Sequence, residues 1–319
     1  MKISVISASI MAVLMFGVMT SCKKPTTTTT DSTLDANVDQ QNKDGNDYKS
    51  QMDQADNDIN SVLRGNSTFN KTEEGFQIAA TTICGCTIDS VSGANDKIIY
   101  FSFNDAVATC LNSAYKRSGN IKVQLTTGQQ WNDAGSVITE TFTDYKITHI
   151  SSGRYIMFNG VKTLKNVNGL DWLQVYYGNP VTYQERAFNV DVKFNNNGQA
   201  IWNSARRSEW SYVSATGAIN FKAYGDTTVN GFANTDTWGL TRINQPFTTY
   251  YNTPIQSNTT CGLWKFKSGE LVCHVNNANY TLTLGVNQDG TAASASGCAY
   301  GYKVAWDFNG TANNAVFAY

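Results

Sequence analysis

Few side chains in this sequence combine a reactive type with a telling spacing, and the clearest set is Trp202, Arg206 and Trp210. The two tryptophans are eight positions apart with Arg206 four from each, so an unbroken strand puts all three on one face. Arg207 and Glu209 then share the other face. Three arrangements fit: a cation–π ladder, an aromatic platform on which a sugar ring stacks, or two rings covering a half-buried sheet with Arg206 across them. Glu140, Asp144, Glu185, Asp191 and Glu209 are the carboxylates open to acid–base work. Glycoside hydrolysis needs two of them about 5–9.5 Å apart, a separation that chain spacing does not set. His149 and His274 sit in strand-like stretches and read as structural residues rather than general bases. There is no Gly-x-Ser-x-Gly elbow, phosphate loop or dinucleotide fingerprint, so no catalytic residue and no cofactor is expected.

Cys22 is the other chemically special position. Lys2, the apolar run Ile3–Met19 and the small residues Thr20-Ser21 are the parts of a secretory signal. The run is too short for a comfortable membrane span. Small residues leading directly into a cysteine resemble the bacterial lipoprotein signal, although Met19 stands where Leu is commonest. That resemblance implies cleavage before Cys22, acylation of Cys22 by palmitate-type chains, and an outer-membrane address. Each buried methylene contributes about 0.8 kcal/mol, so several chains on one cysteine anchor stably. Lys23-Lys24-Pro25 and threonines follow rather than an acidic run, which leaves open whether the protein faces the periplasm or the cell surface.

Removing residues 1–21 leaves 298 of 319, enough for one large β domain or two smaller ones. The apolar fraction of 41% supports a core, while Asn, Thr, Ser and Gln replace charge, which is only 15%. A net charge of −1 provides no basic patch, so nucleic acid is not an expected partner. Six cysteines remain beside Cys22: Cys84, Cys86, Cys110, Cys261, Cys273 and Cys298. An even number in an exported chain suggests disulfides. Three are early and three late, so full pairing requires a bridge between the groups. The expected map joins Cys84 or Cys86 to Cys110, Cys261 to Cys298, and the remaining early cysteine to Cys273. Cys84-Gly85-Cys86 has one residue between thiols and no second close pair, so no metal site is expected.

These groups need elements to hold them. Residues 22–34 read as a lipidated Thr-rich tether. Residues 35–65 are acidic, with Met52, Ala55, Ile59 and Val62–Leu63 at helical spacing, which predicts an amphipathic helix over about 46–64 closed by Gly65. From residue 66 to 319 the pattern is β: the apolar Lys97–Phe103, the alternating Val137–Tyr145, then Leu170–Tyr177, Val181–Phe194, Ala200–Tyr212 and others. Turn signals include Ser151-Ser152-Gly153, Asn159-Gly160 and Ser268-Gly269, the last predicting a hairpin over Lys265–Val275. The fold class is therefore mainly β, an antiparallel meander forming a large twisted sheet or a β-sandwich after one short helix. If it has two packed halves, the boundary lies near 225–234.

Four stretches resemble a group of Bacteroidetes envelope lipoproteins to which no activity is assigned. They are Arg117-Ser118-Gly119-Asn120-Ile121, Asp133-Ala134-Gly135-Ser136-Val137-Ile138-Thr139-Glu140-Thr141-Phe142-Thr143-Asp144-Tyr145, Asn159-Gly160-Val161-Lys162-Thr163-Leu164, and Ile201-Trp202-Asn203-Ser204-Ala205-Arg206-Arg207-Ser208-Glu209-Trp210. Cys261-Gly262-Leu263-Trp264 with Cys298 is similar to that group's C-terminal pair. The resemblance implies place and shape rather than chemistry. The expected function is a membrane-anchored, non-enzymatic binding or structural accessory, with an outer-membrane protein complex or a glycan as partner. One alternative is a surface glycan binder using Trp202, Trp210, Tyr176 and Tyr177. Another is a glycosidase or lyase on a β scaffold.

Overall fold

The computed structural model describes residues 32–69, 83–92, 97–105, 114–170, 172–195, 198–263, 265–275, 278–294, 297–308 and 311–319. The signal segment, Cys22, the tether up to residue 31, Cys110 and Trp264 lie outside the described residues. The first element is helix α1, Ser32–Gly65. It starts well before position 46, because the polar residues ahead of the apolar stripe support one another locally; Gln40 Nε2 donates to Asp44 Oδ1 at 2.7 Å one turn on. Tyr48, Met52, Ala55, Ile59, Val62 and Leu63 recur every three or four positions, and all are buried. Arg64 sits in the last turn, where a cation offsets the partial negative charge of the helix end.

The rest is one antiparallel sheet. Its strands are β1 Cys86–Ser92, β2 Lys97–Phe103, β3 Tyr115–Thr127, β4 Ser136–His149, β5 Tyr155–Asn166, β6 Val181–Phe194, β7 Gln199–Val213, β8 Ala218–Gly225, β9 Thr227–Val229, β10 Phe232–Leu240, β11 Pro246–Asn258, β12 Phe266–Val275, β13 Ala278–Val286, β14 Gly301–Phe308 and β15 Thr311–Ala318. Sequential strands are neighbours from β1 to β7 and from β10 to β15. Between these runs the sheet branches. One half of β7 pairs with β10 and the other with β8, which also pairs with β11, while β9 pairs with β10. The ladder thus continues through the 225–234 stretch.

Three predicted features differ. Ser268-Gly269 does not turn a hairpin but runs inside β12, where Ser268 pairs with Gln256 and Gly269 with Leu284. Gly269 has φ +137°, and a Cβ there would sit 2.6 Å from Ile255 Cα, so this glycine permits a bulged strand's close approach. Asn159-Gly160 likewise lies inside β5, at a register shift. Leu170–Tyr177 is not a strand: Trp172–Tyr177 forms a 3₁₀ turn. That tight turn buries Val175 against Val181 and Ile219 while Tyr176 and Tyr177 point outward.

One face of the sheet packs on α1. Phe101 of β2, Val123 of β3, Ile138 and Phe142 of β4, Phe158 of β5, Val192 of β6 and Trp202 of β7 form one cluster with the helix stripe. Tyr48 is its centre, edge-on to Phe158 at 5.6 Å and to Trp202 at 5.1 Å. A smaller cluster, Phe221, Ala223, Phe266 and Leu284, joins β8 to β12 and β13. Among the described residues no helix is long and apolar enough to cross a membrane.

One bulge, between β3 and β4, depends on a glycine. Gly119 has φ +87°, and a Cβ on it would lie 2.1 Å from the Asp144 carbonyl oxygen. Asp144 opposes it with φ 47°, held by Asn159 Oδ1 accepting from its backbone N–H at 2.8 Å. Both backbones must therefore move if a side chain enters, and Gly119→Ala should destabilise by about 1–3 kcal/mol. A shifted urea midpoint checks it.

Candidate functional site

The sheet face under α1 is apolar except for a short band of charge. Along β4, alternation sets Glu140 between Ile138 and Phe142, so it points inward and is completely buried. Lys162 on β5 pairs across from Glu140 and is equally buried. Glu185 on β6 and Arg206 on β7 face each other one strand on. Ser204 lies next to Arg206 on the same face. From above, α1 lowers Asp53 and Asp56, which flank the buried Met52 and Ala55.

These groups interlock. Lys162 Nζ pairs with Asp56 Oδ1 and lies 2.9 Å from Glu140 Oε2. Arg206 bridges helix and sheet through Asp53 and, at 3.0 Å, Glu185 Oε2. Ser204 Oγ donates to Glu185 Oε1 at 3.4 Å. Burial raises the Asp56 pKa well above the usual carboxylate range, with Glu140 and Glu185 adding to it against Lys162. Burial raises Glu140 likewise, although Lys162 opposes it. Burial also acts to raise Glu185, but Arg206 and Lys162 outweigh it and its pKa is lowered. Lys162 stays protonated: burial opposes its charge, but the surrounding carboxylates raise its pKa.

Further ion pairs run along the helix. Asp44 meets Arg242, whose guanidinium lies 4.0 Å from the Phe194 ring centre. Lys49 meets Asp236. Asp58 meets Arg117, which covers the Phe103 ring at 4.6 Å. Asn60 Oδ1 accepts from the Trp131 indole N–H at 3.0 Å. The acidic side of α1 is thus inserted among sheet cations rather than solvated. Asp53, Asp56 and Glu185 each bring an oxygen within 4.8 Å of the others, a spacing that suits one cation. Two side-chain cations already serve that role, Arg206 on Asp53 and Glu185, and Lys162 on Asp56.

The proposed sugar platform does not exist as drawn. Trp202 is fully buried, its ring between Tyr48 at 5.1 Å and Phe247 at 5.2 Å, and its indole N–H donates to Leu240 O at 2.7 Å. Arg206 is consumed by Asp53 and Glu185. Trp210 is half-buried against Phe221 at 4.5 Å. A ligand cannot stack on Trp202 beneath the helix. Tyr176 and Tyr177 are exposed, at 51% and 73%. Of the five carboxylates singled out, only Glu140 and Glu185 come together. Asp144 belongs to the bulge, Asp191 meets Lys193 at 3.6 Å, and Glu209 accepts from Tyr224 at 2.7 Å. His149 Nδ1 contacts the Ser151 and Ser152 hydroxyls of its own turn, and His274 Nδ1 lies 2.7 Å from Asn279 Oδ1.

Cys261 and Cys298 are bonded, as expected. Cys84 is also disulfide-bonded. Cys86 and Cys273 are free thiols, so the expected bridge between the early and late groups is not formed. The reason is geometric. Cys86 lies on β1, beside β2, and Cys273 on β12, between β11 and β13, so the strand order keeps them apart. Burial pushes each thiol up to about 11, which leaves both protonated and unreactive at neutral pH. Comparison with protein-family models, with curated proteins and with solved structures gives no match.

Proposed function

We propose that this chain is a membrane-tethered envelope protein of the binding or structural accessory type, with no catalytic centre of its own. The observation that carries this reading is where the ionisable groups go. Glu140, Lys162, Glu185 and Arg206, the inward-facing charges of β4 to β7, are all committed to holding α1. A glycosidase would need two such carboxylates open to a substrate, and Glu140 and Glu185 lie beneath the helix. The tether and the lipid site rest on the sequence around Cys22. Anchoring would present the outer face and loops of the sheet, including Tyr176 and Tyr177, to a partner.

The test has two arms. Full-length protein should fractionate with membranes and incorporate labelled palmitate, and Cys22→Ala should abolish both. A soluble form beginning after Cys22 should show no turnover on glycan and peptide libraries; turnover would overturn the reading. Calorimetric heat with a polysaccharide that Tyr177→Ala removes would identify the partner as a glycan.

A further inference from the structure

We propose that Asp56 and Glu140 hold one proton between their carboxyl groups, and that this proton fastens α1 to the sheet, so that the helix loosens as the proton is lost at rising pH. The first ground is charge. Facing this pair are Asp53 from α1, Lys162 from β5, Glu185 from β6, Arg206 from β7, and the Lys49–Asp236 pair between α1 and β10. With every group ionised, five carboxylates (Asp53, Asp56, Glu140, Glu185, Asp236) face three cations (Lys49, Lys162, Arg206), a net −2 where no side chain is more than a fifth exposed. Uncompensated buried charge is removed by taking up protons.

The second ground is geometry. Neither Glu140 oxygen accepts a well-angled hydrogen bond among the described residues, although the side chain is wholly buried. The Asp56 and Glu140 carboxyls sit side by side on one ammonium, since Lys162 Nζ touches Asp56 Oδ1 and lies 2.9 Å from Glu140 Oε2. Two ionised carboxylates have only acceptors to offer each other, so one proton converts a repulsive contact into a hydrogen bond. The proton belongs here rather than on Asp53 or Glu185: Arg206 donates to both Asp53 oxygens, and Arg206 and Ser204 supply a donor to each Glu185 oxygen, whereas Glu140 has only the ammonium it shares with Asp56. The raised Asp56 and Glu140 pKa values and the lowered Glu185 agree with that choice.

The sign follows from linkage. Carboxyls raised in the folded state bind more protons there than in the unfolded chain, where they titrate near 4. The contribution of this pair to stability is therefore full at acid pH. It falls from about pH 4 upward, by about tenfold in the folding equilibrium per pH unit for one proton, until the folded-state value is passed. Glu185 acts in the opposite sense, but only at acid pH where it protonates.

Equilibrium urea unfolding of the full chain from pH 5 to 9 tests this, with infrared spectra of the native protein. The wild type should lose stability with rising pH and show a protonated carboxyl band at pH 7. Glu140→Gln, which makes the same contact without a titrating proton, should flatten the slope and abolish the band. An unchanged slope in that variant, or no carboxyl band in the wild type, overturns the proposal. So does a midpoint that EDTA lowers and calcium or magnesium restores at fixed pH, which would put a metal ion where the proton is placed. If Glu140→Gln does not fold, Asp56→Asn and the wild-type band decide.

Discussion

Lys162→Met should destabilise the protein by about 3–5 kcal/mol, the cost of removing one partner from a buried ion pair. Lys162 is wholly buried and contacts both Asp56 and Glu140. Without it the surrounding carboxylates face only Arg206 and the Lys49–Asp236 pair, and the helix is repelled from the strands it sits on. Urea midpoints measure the loss. The same measurement on Lys162→Met with Glu140→Gln and Asp56→Asn should recover much of it, because a neutral patch of similar volume no longer strands a charge. A single variant as stable as wild type would mean that Lys162 is not the charge that holds α1 down.

Trp202→Ala should cost a similar amount, about 3–5 kcal/mol, because it opens a cavity among Tyr48, Phe194 and Phe247 and leaves the Leu240 carbonyl without its donor. Trp210→Ala, at a half-buried position against Phe221, should cost less. Thermal and urea unfolding of the pair separate two roles. A surface platform for sugars would leave the midpoint in place on losing Trp202, whereas a core ring lowers it sharply.

The β architecture was legible because alternation and turn residues carry it directly. β4 and β7 follow the predicted alternating stretches closely. Glycine misled where it serves a bulge instead of a turn. Ser268-Gly269 and Asn159-Gly160 carry the composition of hairpin loops, yet both lie inside strands because their neighbours come too close for a side chain. The candidate site was half legible. Glu140 has the parity of Ile138 and Phe142, and Arg206 that of Trp202, so their inward direction could be read from position alone. The partners could not. Asp53 and Asp56 look like the polar flank of a surface helix, and nothing local to α1 signals that Lys162 and Arg206 will meet it. The free thiols follow the same logic, since pairing by count ignores how far apart β1 and β12 lie in the strand order.

The placement of α1 also fixes an order of events. Asp58 waits for Arg117, 59 residues on, Asp56 for Lys162, 106 on, Asp53 for Arg206, 153 on, and Asp44 for Arg242, 198 on. At 5–20 residues per second, the first-made element spends roughly 10–40 s without its last partner. For most of that interval, only the early strands are there to cover its stripe, and the part that meets Trp202 and Phe247 stays bare. Closing contacts this far apart in the chain is intrinsically slow. Nascent chains therefore present an acidic helix with an apolar stripe as an early, persistent signal to any holding factor.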